Sequence, residues 1–530
     1  MDTRAEKLWQ RGMVHFRQGN MEAAKANFEA FLAREPGSGP GHFRLSVAEA
    51  RRGRYACALA YAQKAIEIDP GRVETLAHLA RCHLGAGQPE RARSYATQAL
   101  SMPRDNPVVL DSLGVVMTRL DEPSLALELF DQAIAHAPGQ ASMHFNRALA
   151  RKQFGLLEAA EQDLEACLSL LPSHAKAHWM LAGLRTQDLV GNHLVRLRKQ
   201  LEGARGGNEE LLALSLFKEL DDLADSQGAG RALARGIAAR GPCGKAAGHD
   251  HPALVDALVA RCTDKFIRPR DGVRAESGPI FIIGMPQSGV GLLGSLLSRH
   301  PKLFHLGSQS PFARQLMSQL GSQAMRMPVA ADIESASQLD FEALGQRYLS
   351  GVIPAGARNA VVCESQPLNY LHAGFIARAL PGARFLHVSR NPIDNCVSIL
   401  GHAGIDTSLP GDDPAALAAY YLEYLRLMQH WHCMLPGRIM DVSYESLVDK
   451  PEMILRVVCS FLGIRYASPL RLGLALHQRS LGRGRRYLPQ LPMLELALGE
   501  HKPPSSMPEN VGLKTRPRPK TDRSSVQTTN

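Results

Sequence analysis

Residues 279–300 read PIFIIGMPQSGVGLLGSLLSRH. The apolar run 279–283 predicts a buried strand, 284–291 a glycine-containing turn, and 292–299 a helix. Strand, glycine turn and helix in that order hold a phosphate on backbone N–H groups and on the positive end of the helix. Gly284 and Gly289 have the spacing of the G-x-x-x-x-G-K-S/T loop of nucleotide triphosphatases. Val290 stands where that loop needs its lysine, which excludes the motif as written. Positive charge for an anionic ligand is available in the cluster Arg479, Arg483, Arg485 and Arg486, although charge that serves only solubility is the plainer reading.

The segment resembles the 5′-phosphosulfate loop of sulfotransferases, G-M-P-R-S-G-T-T-L-L, which cradles the donor PAPS (3′-phosphoadenosine 5′-phosphosulfate). Further resemblances follow in order. ARFLHVSRNPIDNCVSIL at 383–400 looks like the second strand and helix of that family, whose arginine and serine grip the 3′-phosphate; here these are Arg390 and Ser398. DVSYESLVDKP at 441–451 is similar to the Y-E-x-L-V strand and helix, and places Tyr444 where the family has a tyrosine near the adenine. SLGRGRRY at 480–487 looks like the late basic loop S-x-G-R-W-x-x-Y of bacterial repeat-bearing members, with Arg483 as its arginine. The resemblance covers 277–498 and implies a parallel sheet flanked by helices, with the ligand outside the carboxyl ends of the strands. It implies a PAPS or PAP contact set of Gly284, Gln287, Ser288, Gly289, Val290, Gly291, Arg390, Ser398, Tyr444 and Arg483, and no metal.

The departures from that pattern fall on the chemistry. Gln287 replaces the cationic arginine of the loop, and Val290 and Gly291 replace its two threonines. Gly307-Ser308 stands for a G-E pair whose glutamate is the acceptor base in the tyrosyl-protein branch. The D-K-x-P-x-N motif reads Glu364-Ser365-Gln366-Pro367-Leu368-Asn369, without its lysine, and the late tryptophan is Gly484. Sulfuryl transfer spreads negative charge over the moving group and needs cations, donors and a base. Two cations and two hydroxyls sum to roughly 4–9 kcal/mol if additive, which neighbouring groups are not. His305 could substitute as the base, or could be a packing histidine. The implied function is a PAPS/PAP-binding domain of reduced affinity for the phosphosulfate end, with sulfuryl transfer to a hydroxyl weak or lost. The alternative is a non-catalytic scaffold or nucleotide-binding pseudo-enzyme.

A chain of 530 residues is too long for one core. Its first part carries a second signal. Ala24, Ala58, Ala92, Ala126 and Ala160 recur every 34 residues, as do Gly12, Ser46, Ala80, Gly114, Ala148 and Ala182. Gly19, Gly53, Gly87 and Gly155 mark a common turn, with Asp121 standing in once, and Pro36, Pro70, Pro138 and Pro172 a second. Small residues allow two helices to cross closely, glycine closes the first helix in a left-handed cap, and proline opens the next connection. The period resembles the tetratricopeptide repeat, five copies over 5–172 followed by a solvating helix at 174–185, and implies a superhelix whose concave face takes a protein or peptide. Asn146, Arg147, His78 and Arg81 could line that face or be solvated.

The fold expectation is therefore multidomain: an all-α repeat superhelix over 5–185, a helical connector over 186–275, an α/β sulfotransferase-like domain with a central parallel sheet over 276–500, and a disordered basic tail over 501–530. Gly228–Gly230 and 241–248 look like breaks in the connector, and Asp250 with His249 and His251 looks like a loop rather than a metal site. A net charge of +10 is modest for this length and does not require nucleic acid. Nine cysteines without a CxxC pair argue against zinc and disulfides. No apolar run has the length of a signal peptide or a membrane span, so the expected location is cytoplasmic.

Overall fold

The computed structural model describes residues 3–499 apart from 104, 242–249, 269–277, 308–309, 322–325, 353–359, 404–408 and 467–479. The basic tail, most of the 241–248 glycine stretch, His249, Ser308 and Arg479 lie outside the described residues.

The 34-residue period becomes five helix pairs: Thr3–Arg17 with Met21–Leu32, Gly39–Arg51 with Tyr55–Ile68, Val73–Gly85 with Pro89–Leu100, Pro107–Arg119 with Pro123–His136, and Ala141–Gln153 with Leu157–Leu170. Gly19, Gly53, Gly87 and Gly155 close the first helix of their pairs at φ of 79°, 74°, 73° and 78°, and Asp121 takes the same left-handed turn at 59°. The five grid alanines are fully buried where the helices cross. A β-carbon on Gly114 would come within 2.8 Å of the Phe130 ring, so bulk there would push the pair apart.

The helix Ala175–Ala182 buries Ala177, His178, Met180 and Leu181. It faces protein rather than solvent because the connector helix Gly206–Asp222 packs over it. Leu212, Phe217, Leu233 and Leu254 of the connector share one hydrophobic core with Phe281, Phe312, Phe375 and Trp431. Gly228 and Gly230 do not break the chain; they lie in the helix Ser226–Ala239, capped by Asp225. Arg240 fixes this layer to the sheet domain. Its Nη1 donates to the Gly411 carbonyl at 2.6 Å and its Nη2 to those of Leu400 and His402, while Nε bonds Glu210 at 2.7 Å. Asp250 caps the helix His251–Arg261, and His251 stacks on Tyr420 at 3.8 Å, which gives that pair a structural role.

Five parallel strands, β1 (Ile280–Gly284), β2 (Leu303–His305), β3 (Val361–Glu364), β4 (Arg384–Ser389) and β5 (Ile439–Ser443), lie in the order β2-β3-β1-β4-β5. Phe281 registers against Glu364 on one side and Phe385 on the other, and Ser389 against Ser443. β1 is buried at every position because helices cover both faces, which explains its unbroken apolar run. The chain leaves β1 toward the β2 edge and later crosses to β4, so the carboxyl end of β1 opens a crevice between β3 and β4. Among the described residues no helix is long and apolar enough to cross a membrane.

Candidate functional site

Nearly every residue singled out in the sheet domain sits just past the carboxyl end of a strand. Gly284 ends β1, His305 β2 and Glu364 β3; Arg390 follows β4 and Tyr444 follows β5. The parallel topology thus brings together residues separated by up to 160 positions.

The turn after β1 is tight. Gln287 has φ 64°, exposed at the tip, and Gly289 has φ 107° as the N-cap of the helix Val290–Leu297. Any side chain at Gly289 would be strained and would overlap the Tyr444 ring. No backbone carbonyl among the described residues receives the N–H groups of 289, 290, 291 or 292, as expected for a helix start. The Ser288 hydroxyl is buried beside them without a partner among the described residues. Gly291 is exposed with open space around it. Val290 instead turns inward and packs with Ile282, Leu386 and Tyr444, so its contribution to the turn is backbone alone.

Arg390 is 5% exposed and holds this turn from beneath. Its Nη1 donates to the Gln287 carbonyl at 2.8 Å and its Nη2 to that of Ser480 at 3.1 Å; its guanidinium lies 4.5 Å over the Tyr444 ring. Its buried Nε has no partner among the described residues. Burial pushes its pKa down, against the nearby Tyr444, Asp394 and Glu445. Tyr444 completes the wall, its hydroxyl 2.7 Å from Ser480 Oγ. Ser398 is half-buried on the helix Pro392–Leu400 and makes no hydrogen bond with Arg390. Asn395 Nδ2 donates to the Pro286 carbonyl at 2.9 Å, a second support for the turn.

The late basic loop is anchored by a residue that sequence reasoning missed. The buried Asp394 carboxylate accepts the N–H groups of Gly482 at 2.6 Å and Gly484 at 2.7 Å. A β-carbon on Gly484 would come within 2.9 Å of Asp394, which accounts for glycine where the resemblance has tryptophan. Arg483 does not join the turn. It turns to the connector, 4.9 Å over the Phe217 ring and with Nε 2.9 Å from Asp221, a charge contact whose N–H is not aimed as a hydrogen bond. Tyr487 also donates to Asp221. Arg483 is nonetheless close enough for its charge to oppose that of Arg390.

At the other wall, His305 Nε2 lies 3.0 Å from Ser365 Oγ, the position of the missing lysine. The Gly307 N–H points to His305 Nδ1 at 3.3 Å, which places the ring proton on Nε2. Ser365 Oγ in turn donates to the Gly307 carbonyl at 3.0 Å. Both ring nitrogens are thus engaged, and burial pushes the His305 pKa down, so the ring is neutral near pH 7. Behind it, Glu364 is fully buried and receives hydrogen bonds from Asn369 Nδ2 at 2.7 Å and the Tyr348 hydroxyl at 3.1 Å. Burial outweighs both and pushes its pKa up to about 7. The Arg314 guanidinium, one helix beyond, packs so closely on Gly87 that no β-carbon would fit there, so the repeat array touches this side of the domain.

Among the described residues His387, His432 and Asp441 have metal-ligand spacing. They are joined by hydrogen bonds instead: His387 Nδ1 to Asp441 at 2.6 Å, His387 Nε2 to the Tyr424 hydroxyl, and His432 Nε2 within 3.2 Å of Asp441. Burial raises the Asp441 pKa, but the two imidazoles outweigh it and hold it well below the usual range.

Comparison with known proteins bears on this geometry. A sulfotransferase family model matches residues 279–468, and tetratricopeptide-repeat models match 10–73, 49–114 and 119–175. An uncharacterized protein of Aquifex aeolicus (strain VF5) is 26% identical over 193 residues, 34% of this chain and 25% of that protein. Protein-tyrosine sulfotransferase 2 of Gallus gallus is 25% identical over 203 residues, 36% of this chain and 52% of that protein. The chain thus spans a quarter and about half of the length of these relatives. A thermophilic tetratricopeptide-repeat protein in Thermus thermophilus overlays with a TM-score of 0.32 at 18% identity, over 34% of this chain and 98% of its own. The chain joins a tetratricopeptide-repeat array to a domain of the sulfotransferase family.

Proposed function

We propose that the sheet domain binds PAP or PAPS at the turn after β1, that its transfer of the sulfuryl group to a hydroxyl is slow or lost, and that the repeat array holds a protein partner. The observation that carries the nucleotide reading is a pair of buried groups at the turn, Ser288 Oγ and Arg390 Nε, that find no hydrogen-bond partner among the described residues, beside N–H groups of 289–292 that no described backbone carbonyl receives. Buried polar atoms are normally paired, and a phosphate oxygen is the partner this arrangement fits. The N–H groups and Ser288 would hold the 5′ end. Arg390 would meet the 3′-phosphate while its Nη atoms keep the Gln287 and Ser480 carbonyls in place, with Ser398 and Tyr444 beside it. PAPS, when bound, supplies the group to be transferred.

The transfer end of the site lacks charge. Gln287 and Gly291 offer no cation and no hydroxyl, Val290 is committed to the core, and Ser365 replaces the lysine. His305 is neutral, with its free electron pair turned to Gly307, so it neither attracts the sulfuryl group nor takes a proton from an acceptor. Arg483 is paired with Asp221. Nucleotide binding and weak transfer are therefore compatible in one site.

Calorimetric titration of PAP into the full chain tests the reading. Binding is expected for the wild type and for Arg390→Lys at reduced affinity, and is expected to vanish in Arg390→Ala. Absence of heat with the wild type would refute the nucleotide assignment.

A further inference from the structure

The first helices of the repeat pairs line one face of the array, and that face carries arginines without counter-ions. Arg17, Arg51 and Arg119 occupy one phase of the 34-residue grid. Of its two other positions, Gln153 is uncharged, and at Gly85 the Tyr55 ring fills the space of a side chain. Arg44 and Arg81 stand beside that row. Several other arginines of the array are paired, as Arg52 with Glu49 at 3.2 Å, Arg93 with Glu122 at 2.5 Å and Arg147 with Asp163 at 2.6 Å. None of the five forms an ion pair with a carboxylate of the described residues. Asp111, which feels the Arg81 charge, is taken by Asn146 Nδ2 at 2.9 and 3.0 Å.

The cations share one space. Partial burial, then the charges of Arg72, Arg51 and Arg17, push the Arg44 pKa down; burial, then Arg81, does the same to Arg51. Arg51, Arg81 and Arg119 also line a cavity of 310 Å³ together with Val47, Tyr55 and Val115. Like charges held together cost energy unless something opposite completes them. A groove lined by several guanidinium groups together with apolar side chains suits an extended segment whose carboxylates pair with the guanidinium groups.

We propose that this face docks an extended peptide segment rich in aspartate and glutamate, supplied by a partner protein. The proposal rests on the reading of the array as a partner-binding module and names the chemistry of that partner. Nucleic acid fits less well. Phe16 and Phe43, two rings beside the arginines, are already covered by Arg51 at 4.4 Å, Arg72 at 5.2 Å and Arg44 at 5.6 and 5.9 Å, so neither is an open platform for bases. The chain's own tail is excluded by sign, since residues 501–530 hold Lys502, Lys514, Arg516, Arg518, Lys520 and Arg523 against Glu509 and Asp522.

The test uses the full chain and a fluorescein-labelled deca-glutamate peptide, followed by fluorescence anisotropy. Binding is expected, weakening steeply as salt rises, and weakened about tenfold or more in Arg81→Glu with Arg119→Glu. Both positions are exposed, and unchanged circular dichroism and PAP affinity would show that the variant is folded. The milder Arg81→Gln with Arg119→Gln should weaken binding in the same direction. Equal binding by wild type and variants, or tighter binding of a deca-uridine RNA than of the peptide, would overturn the proposal. A displayed library of random decapeptides separates the two readings. Enrichment of neutral or basic sequences that the variant no longer holds would refute the acidic partner yet leave the face a docking surface. No enrichment would refute both, independently of PAP binding.

Discussion

Glu364 should make the sheet domain less stable as pH rises, and Glu364→Gln should remove that dependence. The carboxyl is fully buried, and burial outweighs the hydrogen bonds from Asn369 and Tyr348 to push its pKa up to about 7 from the ordinary 4.5. Below about 4.5 the group is protonated folded and unfolded. Between 4.5 and 7 the folded chain binds the extra proton, so stability falls as pH rises; above about 7 the loss is complete. The gap between the two values, at about 1.4 kcal/mol per pH step, amounts to about 3 kcal/mol. Unfolding of the whole chain is not a single transition, so the domain needs its own reporter. Trp431 is buried in the domain core, while Trp9 and Trp179 belong to the repeat half. Denaturant unfolding followed by Trp431 fluorescence, in a Trp9→Phe, Trp179→Phe background at pH 5 to 8, isolates the effect. Relative to Glu364→Gln, the parent should lose about 2.5 kcal/mol across that range. Parallel pH profiles would refute the buried, charge-destabilised carboxyl.

Asp394→Ala should free the late loop, since two hydrogen bonds to a buried carboxylate are lost, on the order of 3 kcal/mol together; faster proteolysis within 480–487 and weaker PAP binding would show it. Gly289→Ala should abolish PAP binding because the turn is left-handed and the Tyr444 ring is in the way, whereas Gly291→Thr meets open space and should fold normally. Gln287→Arg with Gly291→Thr should strengthen PAPS over PAP, while adding Val290→Thr buries a hydroxyl in the core and should cost about 1–3 kcal/mol in denaturant unfolding. His193, raised to about 9 by Glu165 and Glu219, ties the last repeat helix to the connector. That tie is fully present below about 6.5 and lost as pH rises through 9; hydrogen-exchange protection near 186–194, taken relative to the intrinsic rate at each pH, should fall between those values in the wild type but not in His193→Ala.

The repeat half was legible because each pair reuses the same short-range rule. Ala24 and its grid partners are buried, and the turn glycines are left-handed, as the spacing alone required. The strand, turn and helix at 280–297 and the parallel sheet were legible for a like reason: unbroken apolar runs report burial on both faces. Strand β2 carried no such signal, being three residues long. Tertiary pairings were also hidden. Arg483 meets Asp221 across 262 positions of chain, and nothing in SLGRGRRY tells which acid will claim it. The role of Asp394 had a faint signal, an acid in the first turn of a helix opened by Asn391-Pro392, but its partners are backbone N–H groups that any sequence supplies. His305 was visible as a histidine near the site; its neutral, doubly engaged state depends on Ser365 and Gly307, which only the sheet brings near.

The central claim is that the turn after β1 holds the nucleotide but lacks the cations and base to move its sulfuryl group. Mixing excess chain with sulfur-35-labelled PAPS and a tyrosine-containing peptide, and following the label through one turnover, tests it directly. Bound label remaining on the nucleotide for hours is the predicted result. Label reaching the peptide at ~1 s⁻¹ or faster, the range of ordinary enzymes, would contradict it.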